Sequence, residues 1–141
     1  MTLLRQAHRG DIVGMHRVRV AVRENRLSSP ERIREADYVR EIEPPGRGWV
    51  IEEGGEVVAF AIGNSADGNI WALFVAPDRE GLGHGRRLHD AMVAWLGSQR
   101  RGRLWLTTAP GTRAQRFYEA AGWTRVGETG GGELRFEREV P

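Results

Sequence analysis

The sequence predicts an α/β (α+β mixed) fold: a central mixed, mostly antiparallel sheet with helices on both faces, in the order β-α-α-β-β-β-α-β-α-β-β. Three observations carry this reading. At Trp49 the apolar rhythm changes from helical to extended, and turn-forming clusters then cut the chain into short runs. Beyond Val75, helical patterns alternate with strand-like ones. The closing segments, "TRVGET" and "ELRFERE", flank a run of glycines that turns one extended run back on the other.

Taken in order, Thr2–Gln6 is apolar enough for a short strand, and Asp11 is placed to cap a helix through Ile12, Met15, Val18, Val20 and Val22. Ser29 and Pro30 have the chemistry of a helix start, as N-cap and first residue of a second helix reaching about Glu41. "EPPGRG", Glu43–Gly48, breaks the chain. Trp49–Glu53 and Val57–Gly63 form a hairpin about Gly54 and Gly55, and Ile70–Val75 adds a third strand to an antiparallel meander. Arg86–Leu96 places Leu88, Met92, Trp95 and Leu96 on one helical face. Leu104–Thr108 is a strand, Thr112–Ala121 a helix stopped by Gly122, and Thr124–Thr129 and Glu133–Glu139 are the closing strands.

At 141 residues the chain is expected to form one domain, residues 1–141. Its mixed charge, with a formal net of +2, and 40% apolar content describe a globular chain. No apolar run approaches the roughly 20 residues that span a bilayer, so no membrane partner is expected. The N-terminus shows no secretory signal, and the expected location is cytoplasmic. The absence of cysteine rules out disulfides, thiolate metal sites and a cysteine nucleophile, and no metal site is expected. Arginines cluster at Arg86–Arg87 and in "QRRGR", Gln99–Arg103, where cations suit a helix C-terminus. No recognition-helix motif accompanies them, so nucleic acid is not an expected partner.

The stretch "PDREGLGHGRRLHDAMVAWL", Pro77–Leu96, carries the chemistry. Gly81, Gly83 and Gly85 permit backbone conformations that curl N–H groups toward one point. A helix beginning there adds unpaired N–H groups and the positive end of its dipole. The sum is an anion site suited to a phosphate or pyrophosphate, with Arg86 and Arg87 at its rim. A nucleotide-binding P-loop would need Lys and Ser or Thr after the last glycine, where Arg86 and Arg87 stand. A dinucleotide fingerprint counted from Gly81 and Gly83 would need glycine at Arg86.

"VAPDREGLGHGRRLHDAM" and "APGTRAQRFYEAAGW" together resemble the GNAT superfamily of N-acetyltransferases. Gly83 and Gly85 match the small positions of its first motif, with Glu80 where glutamine or arginine is usual. Ala114, Phe117, Tyr118, Gly122 and Trp123 match its second motif, with Gly111 replacing an asparagine. The two motifs lie in the family's order, and the resemblance covers nearly the whole chain.

The resemblance implies acetyl-CoA as cosubstrate, in a cleft where two central parallel strands splay apart. Backbone groups of Phe74 and Val75 would pair with the pantetheine arm, and Gly81, Leu82, Gly83, His84, Gly85 and Arg86 would hold the pyrophosphate. The reaction would be direct acetyl transfer to a primary amine, of a small molecule, peptide or protein, in a ternary complex. Tyr118 matches the tyrosine that assists departure of the sulfur. Glu24 and Asn25 fall in the region that walls the acceptor pocket, Glu24 being the candidate base, and Trp71 is a candidate acceptor contact or core residue. The family includes homodimers. The competing readings are a catalytically inactive CoA-binding or regulatory module of the same fold and, more remotely, a nucleic-acid-binding module.

Overall fold

The computed structural model describes residues 1–22, 33–99 and 102–141. A four-stranded antiparallel sheet is built from β1 (Thr2–Gln6), β2 (Gly46–Glu53), β3 (Glu56–Asn64) and β4 (Ile70–Val75), in that spatial order. A three-stranded antiparallel sheet holds β5 (Arg103–Thr108), β7 (Leu134–Glu139) and β6 (Thr124–Glu128), with β7 central. The helices are α1 (Ile12–Ala21), α2 (Glu35–Ile42), α3 (His84–Gln99) and α4 (Arg113–Ala120). The expected sheet is therefore two half-sheets, whose strands pair, among the described residues, only at a parallel bridge between Asn69 and Trp105.

β3 shows why both faces of the first sheet are covered. It is buried along Val57–Gly63, and alternation sends Ala59 and Ala61 to one core cluster and Phe60 and Ile62 to another. The small residues on the first face admit α3 closely. A Cβ at Gly63 would stand 3.1 Å from the Met92 sulfur. Leu88, Met92 and Leu96 of α3 meet Leu104, Leu106, Leu134 and Phe136 of the second half-sheet in this cluster. On the other face Ile12, Met15 and Val18 of α1 and Tyr38 and Ile42 of α2 pack against Val50, Phe60 and Ile62.

The start of α1 differs from expectation. Asp11 makes no side-chain cap to α1; it closes a 3₁₀ turn, Arg9–Asp11, whose cap is His8. Its carboxylate accepts two bonds from Arg5, at 2.8 and 2.9 Å, and one from the His8 N–H. Burial alone would raise the Asp11 pKa, but these donors hold it below the usual carboxylate value. The residue reads as a cap because its type suits one, whereas the guanidinium on β1 claims it and ties α1 to the sheet. Val20 is exposed, and α1 ends at Ala21, one residue short of Val22. The predicted helix start at Ser29 and Pro30 lies outside the described residues, which show α2 from Glu35. No described helix is long and apolar enough to cross a membrane.

Candidate active site

β4 and β5 run parallel and join only at their beginnings. The Trp105 N–H donates to the Gly68 carbonyl at 3.0 Å, and beyond that point the strands part. From Trp71 to Val75 the edge of β4 facing β5 has no strand partner among the described residues. The gap is a cleft of about 790 Å³. Unpaired main-chain N–H and C=O groups on such an edge need partners, and an extended amide-bearing ligand supplies them.

At the far end of β4, a 3₁₀ turn (Pro77–Arg79) leads into the glycine loop. Gly81 and Gly83 take φ of 76° and 85°, which side-chain-bearing residues avoid. The Gly83 carbonyl accepts from the Arg87 N–H, so α3 winds from that point. The N–H groups of His84, Gly85 and Arg86, in its first turn, have no partner among the described residues. Gly81, Gly83, His84, Gly85 and Arg86 line the cleft; Leu82 is 61% exposed and does not. Arg86 pairs with Asp90 one turn along, while Arg87 donates to Thr2 Oγ1 and lies outside the cleft. Glu80, an awkward charge beside an anion site, is neutralised by the Arg113 guanidinium of α4 at 3.1 Å. The nearer Arg79 is engaged by Glu53 and Asp78.

Tyr118 lines the cleft from α4, which Thr112 caps by accepting from the Gln115 N–H. Its ring packs edge-on against Phe117 and Trp123. Burial pushes its phenol well above the usual value, so the group stays protonated, with a proton to donate to a hydrogen bond. Trp71 is the extra residue of a β-bulge: Ile62 pairs with Ala72 and Gly63 with Ile70, leaving Trp71 without a partner in the register. The bulge turns its indole toward α1 and α2, where it meets Tyr38 with ring centroids 5.5 Å apart. Trp71 thus belongs to both the core and the cleft wall, as do Phe74 and Val75. Glu24 and Asn25 lie outside the described residues.

Two cleft residues escape sequence reasoning. Glu133 stands just before Leu134, which pairs with Thr108 at the open end of β5. Leu134 and Phe136 are buried in the core beneath α3, whereas Glu133, just outside the strand, is half-buried and lines the cleft. Of the carboxylates lining the cleft among the described residues, Glu80 is paired with Arg113 and Glu133 has no ion pair. The second is Arg19 of α1, 8% exposed, with its guanidinium 5.1 Å from the Trp71 ring and 4.9 Å from the Phe74 ring. Only the strand register and the helix docking bring these side chains to the opening.

His84 is buried with neither ring nitrogen hydrogen-bonded among the described residues. His89 is buried outside the cleft, where its Nε2 accepts from the Trp123 indole N–H at 2.9 Å. Its Nδ1–H therefore donates to Asp90, also at 2.9 Å.

Two half-sheets parted at their central strands, with an amide-rich loop at the opening, have counterparts among acyl-transferring proteins. Residues 13–123 match the model of the acetyltransferase (GNAT) family, and the chain belongs to that family. Solved acetyltransferases share the fold end to end. The ribosomal-protein-S18-alanine N-acetyltransferase of Escherichia coli is 17% identical over 99% of this chain and 94% of its own, with a TM-score of 0.80. PaiA N-acetyltransferase of Thermoplasma acidophilum, solved in complex with coenzyme A, is 12% identical over 99% of each chain, with a TM-score of 0.82. An acetyltransferase of Thermus thermophilus is 23% identical over 99% of this chain and 97% of its own, with a TM-score of 0.77.

Proposed function

We propose that this member of the family transfers the acetyl group of acetyl-CoA directly to a primary amine. The observation that carries the proposal is the meeting, in one cleft, of the unpaired amides of Gly83–Arg86, the open edge of β4 and the Tyr118 phenol. The diphosphate lies on the amides at the start of α3, with Arg86 at the rim. The pantetheine arm lies along Phe74 and Val75 and takes the place of the missing strand.

The amine must attack as a free base, and an ordinary alkylammonium has a pKa of about 10.4. Among the described residues, Glu133 is the cleft carboxylate without an ion pair, and it attracts the ammonium and passes its proton, through water, to solvent. As nitrogen attacks the thioester carbonyl, charge gathers on oxygen, and an N–H on the open edge of β4 stabilises it. The carbon–sulfur bond then breaks, and Tyr118 donates a hydrogen bond to the departing sulfur. Full proton transfer is opposed, because burial makes this phenol a weaker acid than usual.

The test is calorimetry with acetyl-CoA followed by free-thiol release against a panel of amines. Saturable binding with amine-dependent thiol release supports the proposal. No heat at millimolar acetyl-CoA defeats it. Binding without thiol release for any amine identifies a CoA-binding module instead.

A further inference from the structure

Resting on the proposed acetyl transfer, we infer that Arg19 is an anion-reading residue and that the amine acceptor carries a carboxylate. Arg19 is buried, yet its Nε and Nη1 have no hydrogen-bond partner among the described residues and its guanidinium forms no ion pair there. A buried charge without a counter-charge is among the costliest features a small fold can carry. Burial lowers the Arg19 pKa, the nearby Tyr38 hydroxyl offsets part of that, and an arginine does not surrender its proton in a protein. The charge is therefore present and under-satisfied.

Its surroundings hold it in one attitude. The Trp71 and Phe74 rings both lie within 5.1 Å of the guanidinium carbon, which fixes the group without satisfying its N–H edge. Trp71 is there because of the β-bulge, so an irregularity in β4 builds this wall. Arg19, Trp71 and Glu133 all line the one cleft. An amine approaching Glu133 with a carboxylate directed to Arg19 meets a complementary charge at each end. A planar guanidinium offers paired N–H groups to the two oxygens of a carboxylate. A phosphate monoester would bring nearly two negative charges against one positive charge.

The probe is a matched pair, 3-phenylpropionate and 3-phenylpropionamide, titrated by calorimetry into the protein with and without saturating coenzyme A. The carboxylate is expected to bind at least ten-fold more tightly than the amide, and Arg19→Met is expected to abolish that preference while keeping wild-type coenzyme A affinity. If Arg19→Met fails to fold, the wild-type pair still decides, together with displacement of an arginine Nε resonance by the carboxylate but not by the amide. Equal binding of the two probes, or binding of neither, overturns the inference. So does a preference for succinyl-CoA over acetyl-CoA that Arg19→Met removes, since the guanidinium would then read the acyl group. Failure to bind coenzyme A would instead defeat the proposed reaction, and the titration without coenzyme A would still decide whether Arg19 reads a carboxylate.

Discussion

Tyr118 combines a polar hydroxyl with an aromatic cage of Phe117 and Trp123, and burial strengthens its hold on its proton. Tyr118→Phe removes one oxygen and leaves the packing. Turnover is expected to fall roughly 10- to 1000-fold while acetyl-CoA affinity by calorimetry stays near wild type; unchanged turnover would take the phenol out of the mechanism. This residue was legible because its neighbours in sequence, Ala114, Phe117, Gly122 and Trp123, form a local pattern. Glu133 and Arg19 carry no such pattern. One follows a glycine turn and the other interrupts the apolar residues of a helix, and each looks like an ordinary charged residue until the fold carries it to the opening.

The glycine loop works as an element because its conformation, more than its side chains, directs the amides. At Gly83 a Cβ would meet nothing within 4 Å, so space is not the constraint there; the φ of 85° is. Forcing a β-branched residue into that region costs about 1–3 kcal/mol, and the loop is expected to relax by turning its N–H groups aside. Gly83→Val should weaken acetyl-CoA binding about 10- to 100-fold by calorimetry, with a cooperative melt retained because the site is exposed. Unchanged affinity would show that the loop amides do not hold the ligand. Strand and helix identities here followed from periodicity; the structure extends β2, β3, α3 and β5 by one to three residues at an end and trims α1, α4, β6 and β7 by one, α3 beginning at His84 where Arg86 was expected. The bulge at Trp71 was invisible, since a register is a relation between two strands and leaves no mark on either one alone.

At the scale of the molecule, α3 is fastened to the second half-sheet by the bond from the Trp123 indole to His89. That bond needs an unprotonated Nε2, and burial, opposed by Asp90 and reinforced by Arg138 and Arg86, lowers the His89 pKa below 6.5. With the folded value depressed, the unfolded chain binds the proton first. The contribution is therefore complete above about pH 6.5 and is lost progressively as pH falls through the folded value. Urea titrations should show stability declining below pH 6.5. His89→Gln, which keeps an acceptor for the indole without titrating, should decline less steeply across the same range. Parallel slopes for the two proteins would remove His89 from the acid response. The division of the sheet was expected only from the family resemblance, because adjacent central strands that fail to pair have the same apolar composition as strands that do.

Since, among the described residues, a single strand bridge at Asn69 and Trp105 joins the half-sheets, their separation depends on the core they share away from the opening, where Met92, Leu96, Leu104 and Leu134 pack in one cluster. Interiors are close-packed, so a change in the volume of those side chains is expected to alter the gape in front. Trimming or swelling the core by a methylene would reach the reacting groups as a change in leverage, with no residue at the mouth altered.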